Sequence, residues 1–177
     1  MREDEREQLE AQIREAFAST PAPPPERLRG SNDGDEPYLL EEEFRQVPDW
    51  RTLEAPFLDQ APDGYGTALS FFSAEAFRYY LPAFLLADLR GLLQRADPLF
   101  HLWHGLTDDR REQPVNPRRF GAWTWSAAIA ERFEGFTPRE AAAIVAYLRY
   151  KAAHDELGLD RPRIEQALTN YWLARLA

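Results

Sequence analysis

The chain has 177 residues, 44% of them hydrophobic, so it can fill the core of one domain and bury about 68–70% of its unfolded surface. It contains no cysteine, which excludes disulfides, thiolate metal sites and cysteine nucleophiles, and fits a reducing compartment. Its net charge is −9, and residues 1–60 alone account for it with 16 Asp and Glu against 7 Arg. Because phosphate binding needs clustered Lys and Arg, we expect no nucleic-acid partner.

We also expect no membrane partner and a cytoplasmic location. The sequence has no apolar run near the roughly 20 residues that a membrane-spanning helix needs. The first residues, MREDEREQLE, lack the apolar core of a secretory signal peptide.

The chain opens with an amphipathic helix. Leu9, Ile13 and Phe17 form an apolar stripe at helical spacing, which predicts a helix from residue 2 to about residue 18. An isolated helix of this length is marginal in water, so the stripe must dock somewhere. Its own domain, a second copy of the chain and a partner are the three alternatives.

A stretch rich in proline, glycine and aspartate follows over residues 19–37 and predicts either a linker or a segment wrapped on the surface. We therefore divide the chain into an acidic helix with its Pro-rich linker, residues 1–36, and a helical domain, residues 37–177.

The stretch FRYYLPAFLLADL, residues 77–89, is the most apolar part of the sequence and has a proline in its middle. Ser73 is a favourable N-cap, and apolar residues recur at steps of three and four to about Gln94, which predicts one helix. Pro82 has no backbone N–H, so it should bend this helix rather than end it. Two separate helices would make Leu81 a cap, and leucine caps poorly.

Capping signals predict three further helices. Asp97, followed by proline, begins one that Gly105 ends. TPRE, which starts at Thr137, is a capping box, and Gly158 ends its helix. The last helix begins near Arg161.

The segment from residue 120 to residue 136 supports two interpretations, because Trp123 and Trp125 alternate as in a strand whereas SAAIAERF is helical. The sequence as a whole predicts an all-α single domain. It has about seven short-to-medium helices around a Pro-bent central helix and at most one short strand pair.

Two histidines raise the question of a metal. His101 and His104 are three residues apart on a predicted helix, so both could face one ion, but zinc needs at least two more ligands. His154 is the only other histidine, and FHLW surrounds His101 with apolar side chains. We therefore expect packed histidines, no metal site and no cofactor.

Polar side chains on two predicted helices are candidates for binding. Asp88 falls inside the apolar stripe of the central helix, where a carboxylate either pairs with an arginine or belongs to an active site. RYY at residues 78–80 and YLRY at 147–150 combine Tyr and Arg, which are enriched at binding hot spots and equally common at the margin of a core. The candidate binding residues are Arg78, Tyr79, Asp88, Tyr147, Arg149 and Tyr150.

Three stretches carry a family resemblance: LSFFSAEAFRYYLPAFLLADL (69–89), RFEGFTPREAAAIVAYLRY (132–150) and ALTNYW (167–172). Over residues 65–177 the chain resembles a bacterial family known as a domain of unknown function. The family has no assigned activity, cofactor or catalytic residue. The resemblance therefore implies a bacterial cytoplasmic protein with a helical fold and transfers no functional residue.

The sequence has no G-x-S-x-G, no glycine-rich phosphate loop and no H-E-x-x-H, so an enzyme is not the leading interpretation. We predict a non-enzymatic module that binds another protein, as an immunity protein or an adaptor does, with a homodimer left open. The alternative is a hydrolase or metal-dependent enzyme centred on Asp88, His101 and His104.

Overall fold

The structure is a computed structural model that describes residues 2–60 and 68–177. These residues contain ten α-helices and three 3-10 turns but no strand, which confirms the all-α prediction. Their only β pairing consists of two isolated bridges, Arg29–Phe72 and Pro114–Thr124. The chain forms two compact units, unit 1 (Met1–His101) and unit 2 (Leu102–Ala177).

The helices follow in chain order. Unit 1 contains α1 (Arg2–Ala16), α2 (Glu36–Arg45), α3 (Ala55–Leu58), α4 (Ala68–Phe71) and α5 (Ala74–Leu89), with 3-10 turns at Pro25–Arg27 and Trp50–Thr52. The chain passes from unit 1 to unit 2 within α6 (Pro98–Trp103). Unit 2 contains α7 (Pro117–Phe120), α8 (Trp125–Phe133), α9 (Pro138–Ala153), α10 (Arg161–Asn170) and the 3-10 turn Trp172–Leu176.

Helix α5 is the core of unit 1, because 12 of its 16 residues are buried. The Ser73 hydroxyl caps it by accepting a hydrogen bond from the Ala76 N–H at 3.0 Å. Pro82 lies inside the helix, as predicted, and is buried there. The alternative of two helices separated at Pro82 is therefore wrong.

The predicted end of α5 near Gln94 is also wrong. The helix ends at Leu89, and Gly91 follows with a φ of +67°, a left-handed conformation that glycine adopts easily. The backbone N–H groups of residues 94–96 then donate to the Asp59 carboxylate at 2.7–3.1 Å instead of to helical carbonyls.

Helix α1 packs against α5 within unit 1. Its stripe is removed from solvent, with Leu9 6%, Ile13 0% and Phe17 0% exposed. Beside the stripe, the Arg90 guanidinium donates two hydrogen bonds to the Glu10 carboxylate. Of the three alternatives, the structure shows docking of the first helix on its own chain.

The Pro-rich segment also packs on unit 1, which favours the surface wrap over the free linker. Leu28 is buried, the Gly30 N–H donates to the Phe71 carbonyl at 2.7 Å, and the Ser73 N–H donates to the Leu28 carbonyl at 2.9 Å. A Cβ at Gly30 would lie 2.6 Å from the Phe72 carbonyl oxygen, so this close approach requires glycine. The domain boundary at residue 36 stays a prediction.

Unit 2 is built from helices with clear start signals. The predicted capping box is confirmed: the Thr137 N–H donates to the Glu140 carboxylate at 2.8 Å, and the Glu140 N–H donates to the Thr137 hydroxyl at 3.2 Å. Helices α9 and α10 and the final 3-10 turn pack together, and Trp172 is fully buried. The Trp172 Nε1–H donates to the Leu102 carbonyl at 2.8 Å, which satisfies its polar atom inside the core.

Candidate functional site

Residues 104–124 connect α6 to α8, and two backbone hydrogen bonds close the later part of this segment into a loop. The Val115 N–H donates to the Trp123 carbonyl at 2.9 Å, and the Trp125 N–H donates to the Gln113 carbonyl at 3.0 Å. The Thr124 hydroxyl then accepts from the Ala127 N–H at 3.3 Å and begins α8. The helical interpretation of this segment is therefore confirmed from Trp125 onward, and the strand interpretation is wrong, because only an isolated bridge at Thr124 precedes the helix.

The tip of this loop, residues 116–123, holds the one-turn helix α7. Asn116 is its N-cap, with its side-chain oxygen accepting from the Arg119 N–H at 3.3 Å, and Pro117 occupies the first helical position. Gly121 ends the turn with a φ of +60°. Hydrogen bonds between residues close in sequence thus hold the backbone of the tip in one conformation.

Two large aromatic side chains are exposed on the tip. Phe120 is 44% exposed and Trp123 is 37% exposed, and their rings make an edge-to-face contact with centroids 5.5 Å apart. The Arg119 guanidinium lies over the Phe120 ring at 5.1 Å, and Arg118 beside it is exposed. The two adjoining rings form a small apolar surface that another molecule could cover.

The tip is positively charged as well as aromatic. Residues 113–124 contain two arginines, Arg118 and Arg119, and no Asp or Glu. Trp and Arg are the residues most enriched at binding hot spots, and a preformed loop loses little conformational entropy on binding. The tip is therefore suited to bind another molecule whose surface is acidic and partly apolar.

The sequence-based candidates lie elsewhere, on α5 and α9. On α5, Tyr79 and Tyr80 are buried, and their hydroxyls donate to the carbonyls of Pro48 at 2.7 Å and Val47 at 3.1 Å. Burial raises the pKa of Tyr80 to about 12, so this hydroxyl remains a hydrogen-bond donor even in mildly alkaline solution.

The remaining candidates differ in accessibility. Arg78 and Asp88 on α5 are partly buried, and both interact with neighbouring groups. On α9, Tyr147 is buried, Arg149 is exposed, and the Tyr150 ring stacks on the His154 ring at 4.1 Å. The two groups belong to different units, and a common binding groove stays a prediction.

The histidines pack against aromatic rings. His101 contacts Phe100 with ring centroids 5.6 Å apart, and His104 contacts Trp125 at 4.7 Å. Burial lowers the pKa of His104, with the nearby Arg110 charge adding to the effect, which favours the neutral ring at pH 7. Within residues 2–60 and 68–177, no three His, Asp or Glu side chains converge in a way that could hold a metal ion.

Comparison with known proteins identifies the family. A model described as a family of unknown function, DUF6714, matches residues 5–176. The chain belongs to DUF6714. The match extends the resemblance of residues 65–177 to almost the whole sequence, including the acidic first third. Neither the search of curated proteins nor the search of solved structures found a match.

DUF6714 carries no assigned activity, so site residues in this member rest on its own geometry. None of the helices in the described part of the chain combines the length and the apolar character needed to cross a bilayer.

Proposed function

We propose that this DUF6714 protein is a non-catalytic module that binds another protein through the tip, residues 116–123. The observation that carries the proposal is the exposed edge-to-face pair of Phe120 and Trp123 on a hydrogen-bonded loop. Rigid aromatic side chains bury a large area on contact and lose few rotamers, which makes them efficient anchors.

The partner surface should combine carboxylates with an apolar pocket. The Arg118 and Arg119 guanidinium groups can donate charge-assisted hydrogen bonds to Asp or Glu side chains around that pocket. Nucleic acid offers anionic oxygens and stacking surfaces too, but phosphate binding takes clustered Lys and Arg, and the tip carries only two arginines. The protein partner is therefore favoured over nucleic acid.

An immunity protein and an adaptor both act by such stoichiometric contact, and either role fits the proposal. The alternative, a hydrolase or metal-dependent enzyme on Asp88, His101 and His104, has no comparable observation in its favour.

Affinity capture with matched variants tests the proposal. The full-length protein is immobilised as wild type, as Phe120→Ser/Trp123→Ser, and as Leu157→Ser/Leu159→Ser, and each is exposed to nuclease-treated, detergent-cleared extract of its own organism. Leu157 and Leu159 are 81% and 64% exposed in the same unit, so the third protein controls for the loss of exposed apolar surface. Circular dichroism melts check that all three are folded.

We expect one protein to be retained by the wild type and the leucine variant and lost from the aromatic variant. Equal retention on all three would contradict the proposal, and so would a binding partner that the nuclease or the detergent removes.

A further inference from the structure

Unit 1 contains a cavity with a volume of about 590 Å³. Its walls come from α1, the turn Trp50–Thr52, α3, the C-terminal half of α5 and the residues after it. Ala83 and Ala87, one helical turn apart on α5, leave space that larger side chains would fill. Small-molecule sites in proteins usually have volumes of roughly 300–1,000 Å³, so the cavity has the size of a ligand site.

The floor of the cavity is apolar. Its apolar lining includes Trp50, Ala83, Leu86 and Ala87. A bound molecule would therefore place an apolar body here, displacing water from a surface that water solvates poorly.

Three arginines from three separate segments line the same cavity: Arg14, Arg51 and Arg90. The Arg90 guanidinium uses its Nε and Nη2 on Glu10, and Arg51 donates to the Asp49 carboxylate at 3.1 Å and the Ala18 carbonyl at 2.6 Å. A guanidinium group has five N–H donors, so both arginines keep donors for a further acceptor.

Trp50 supplies an independent indication of a missing acceptor. The residue is 1% exposed, and its buried Nε1–H has no hydrogen-bond partner in the part of the chain that the structure describes. A buried N–H without an acceptor costs about 1–3 kcal/mol, and such donors in native proteins usually have a partner.

The acceptors in the cavity wall are few. The Asp59 carboxylate already accepts hydrogen bonds from the backbone N–H groups of Gln94, Arg95 and Ala96. Burial tends to raise the pKa of Asp59, but these three bonds outweigh it and hold the pKa below its usual range. Glu54, an exposed side chain, is the other carboxylate in the lining. The three arginines of the lining thus outnumber its two carboxylates.

We infer that this cavity binds a small organic carboxylate with an apolar body. The carboxylate would accept hydrogen bonds from the guanidinium groups of Arg14 and Arg90, which match its planar two-oxygen geometry. The carboxylate would also accept the hydrogen bond of the Trp50 Nε1–H, and the apolar body would lie over Ala83, Leu86 and Ala87.

Titration of the full-length protein with octanoate tests the inference, with 1-octanol as the uncharged analogue. Binding is measured by NMR and by calorimetry. The NMR readout is the Trp50 indole N–H resonance, which is assigned as the one missing from the spectrum of Trp50→Phe. Ala87→Phe fills the cavity, and Ala11→Phe places the same side chain at an exposed position of α1 as a control. Arg14→Gln removes one exposed guanidinium and does not touch the core.

We expect octanoate to shift the Trp50 resonance saturably and to bind at least about tenfold more tightly than 1-octanol, a difference near 1.4 kcal/mol. Ala87→Phe should abolish this binding, and Ala11→Phe should preserve it. Arg14→Gln should lower the affinity for octanoate and leave the affinity for 1-octanol unchanged.

No saturable shift in the wild type would overturn the inference, as would equal affinity for the two compounds. Equal octanoate affinity in Arg14→Gln would also overturn it, and this test stands even if Ala87→Phe does not fold. The outcome is independent of the tip, since no residue of the tip lines the cavity.

Discussion

The two units of the chain differ in charge. Unit 1 has 20 Asp and Glu against 10 Arg, a net charge of −10, whereas unit 2 has 10 Asp and Glu against 11 Arg and Lys, a net charge of +1. The exposed tip, with two arginines and no carboxylate, belongs to the nearly neutral unit. The net charge of the whole chain therefore comes from unit 1. It does not indicate the charge of the surface that we propose for partner binding.

The first third of unit 1 and the helix starts of unit 2 differ in how sequence specifies them. Contacts distant in sequence hold the first third of unit 1, such as Gly30 to Phe71 and Glu10 to Arg90. In unit 2, local caps begin the helices at Thr124 and Thr137.

The largest effect should follow deletion of residues 1–25. It removes three buried side chains, Leu9, Ile13 and Phe17, each worth about 2–5 kcal/mol, from a protein whose total stability is typically about 5–15 kcal/mol. We expect unit 1 to lose its cooperative thermal transition in circular dichroism.

The control for this deletion replaces only the exposed carboxylates of Glu3, Glu5 and Glu7 with amides. This variant should melt within a few degrees of the wild type. A deletion variant that melted at the wild-type temperature would show that α1 is a detachable arm.

Two tryptophans of unit 2 should respond oppositely to truncation. Trp172→Ala removes a fully buried ring and its hydrogen bond to Leu102, which should cost about 3–5 kcal/mol of unfolding free energy. Trp123→Ala on the tip should cost no more than about 1 kcal/mol, because the ring is 37% exposed. Urea denaturation measures both, and similar losses would mean that the tip belongs to the core.

The helix starts can be predicted from the sequence because capping is local chemistry. Ser73, Asp97 and Thr137 each accept the expected backbone hydrogen bond three residues later. The predicted end of α5 near Gln94 is wrong because Gly91 is a local stop signal: with its positive φ, the Leu92 N–H donates back to the Ala87 carbonyl at 3.0 Å.

The candidate site was harder to predict because exposure cannot be read from spacing. Residue type makes Tyr79 and Tyr147 candidates, yet both are buried. Phe120 and Trp123 are not among the sequence-based candidates, although NPRRFG carries a local signal: a cap, a proline at the first helical position and a glycine one turn later. That pattern predicts a single helical turn, and the aromatic side chains on it then become candidates for exposure.

A smaller effect should come from the ion pair between α1 and the end of α5. The hydrogen bond from Arg90 lowers the pKa of Glu10 against the opposing effect of burial. A carboxyl whose pKa is lower in the folded state stabilises it above the unfolded pKa of about 4.3, and this contribution disappears as pH falls through the folded value.

Glu10→Gln should therefore lose about 1 kcal/mol at pH 7, an amount reduced by the partial exposure of Arg90. The difference from the wild type should shrink below pH 5. Urea midpoints across this range measure it, with Glu7→Gln as the exposed control. A difference that stayed constant with pH would rule out the ion pair as its cause.

The smallest expected effect is that of a chelator. The packing of His101 and His104 against Phe100 and Trp125 accounts for both rings without a metal ion. EDTA should leave the melting temperature unchanged. A drop of several degrees that zinc restores would revive the metal-dependent enzyme as the better interpretation.

Hydrogen–deuterium exchange of the complex with the captured protein tests the proposed function most directly. The proposal predicts that binding slows exchange in peptides covering residues 113–125 and that the Phe120→Ser/Trp123→Ser variant shows no such change. Slowed exchange confined to residues 2–60, with residues 113–125 unaffected, would contradict the assignment of the binding surface to the tip.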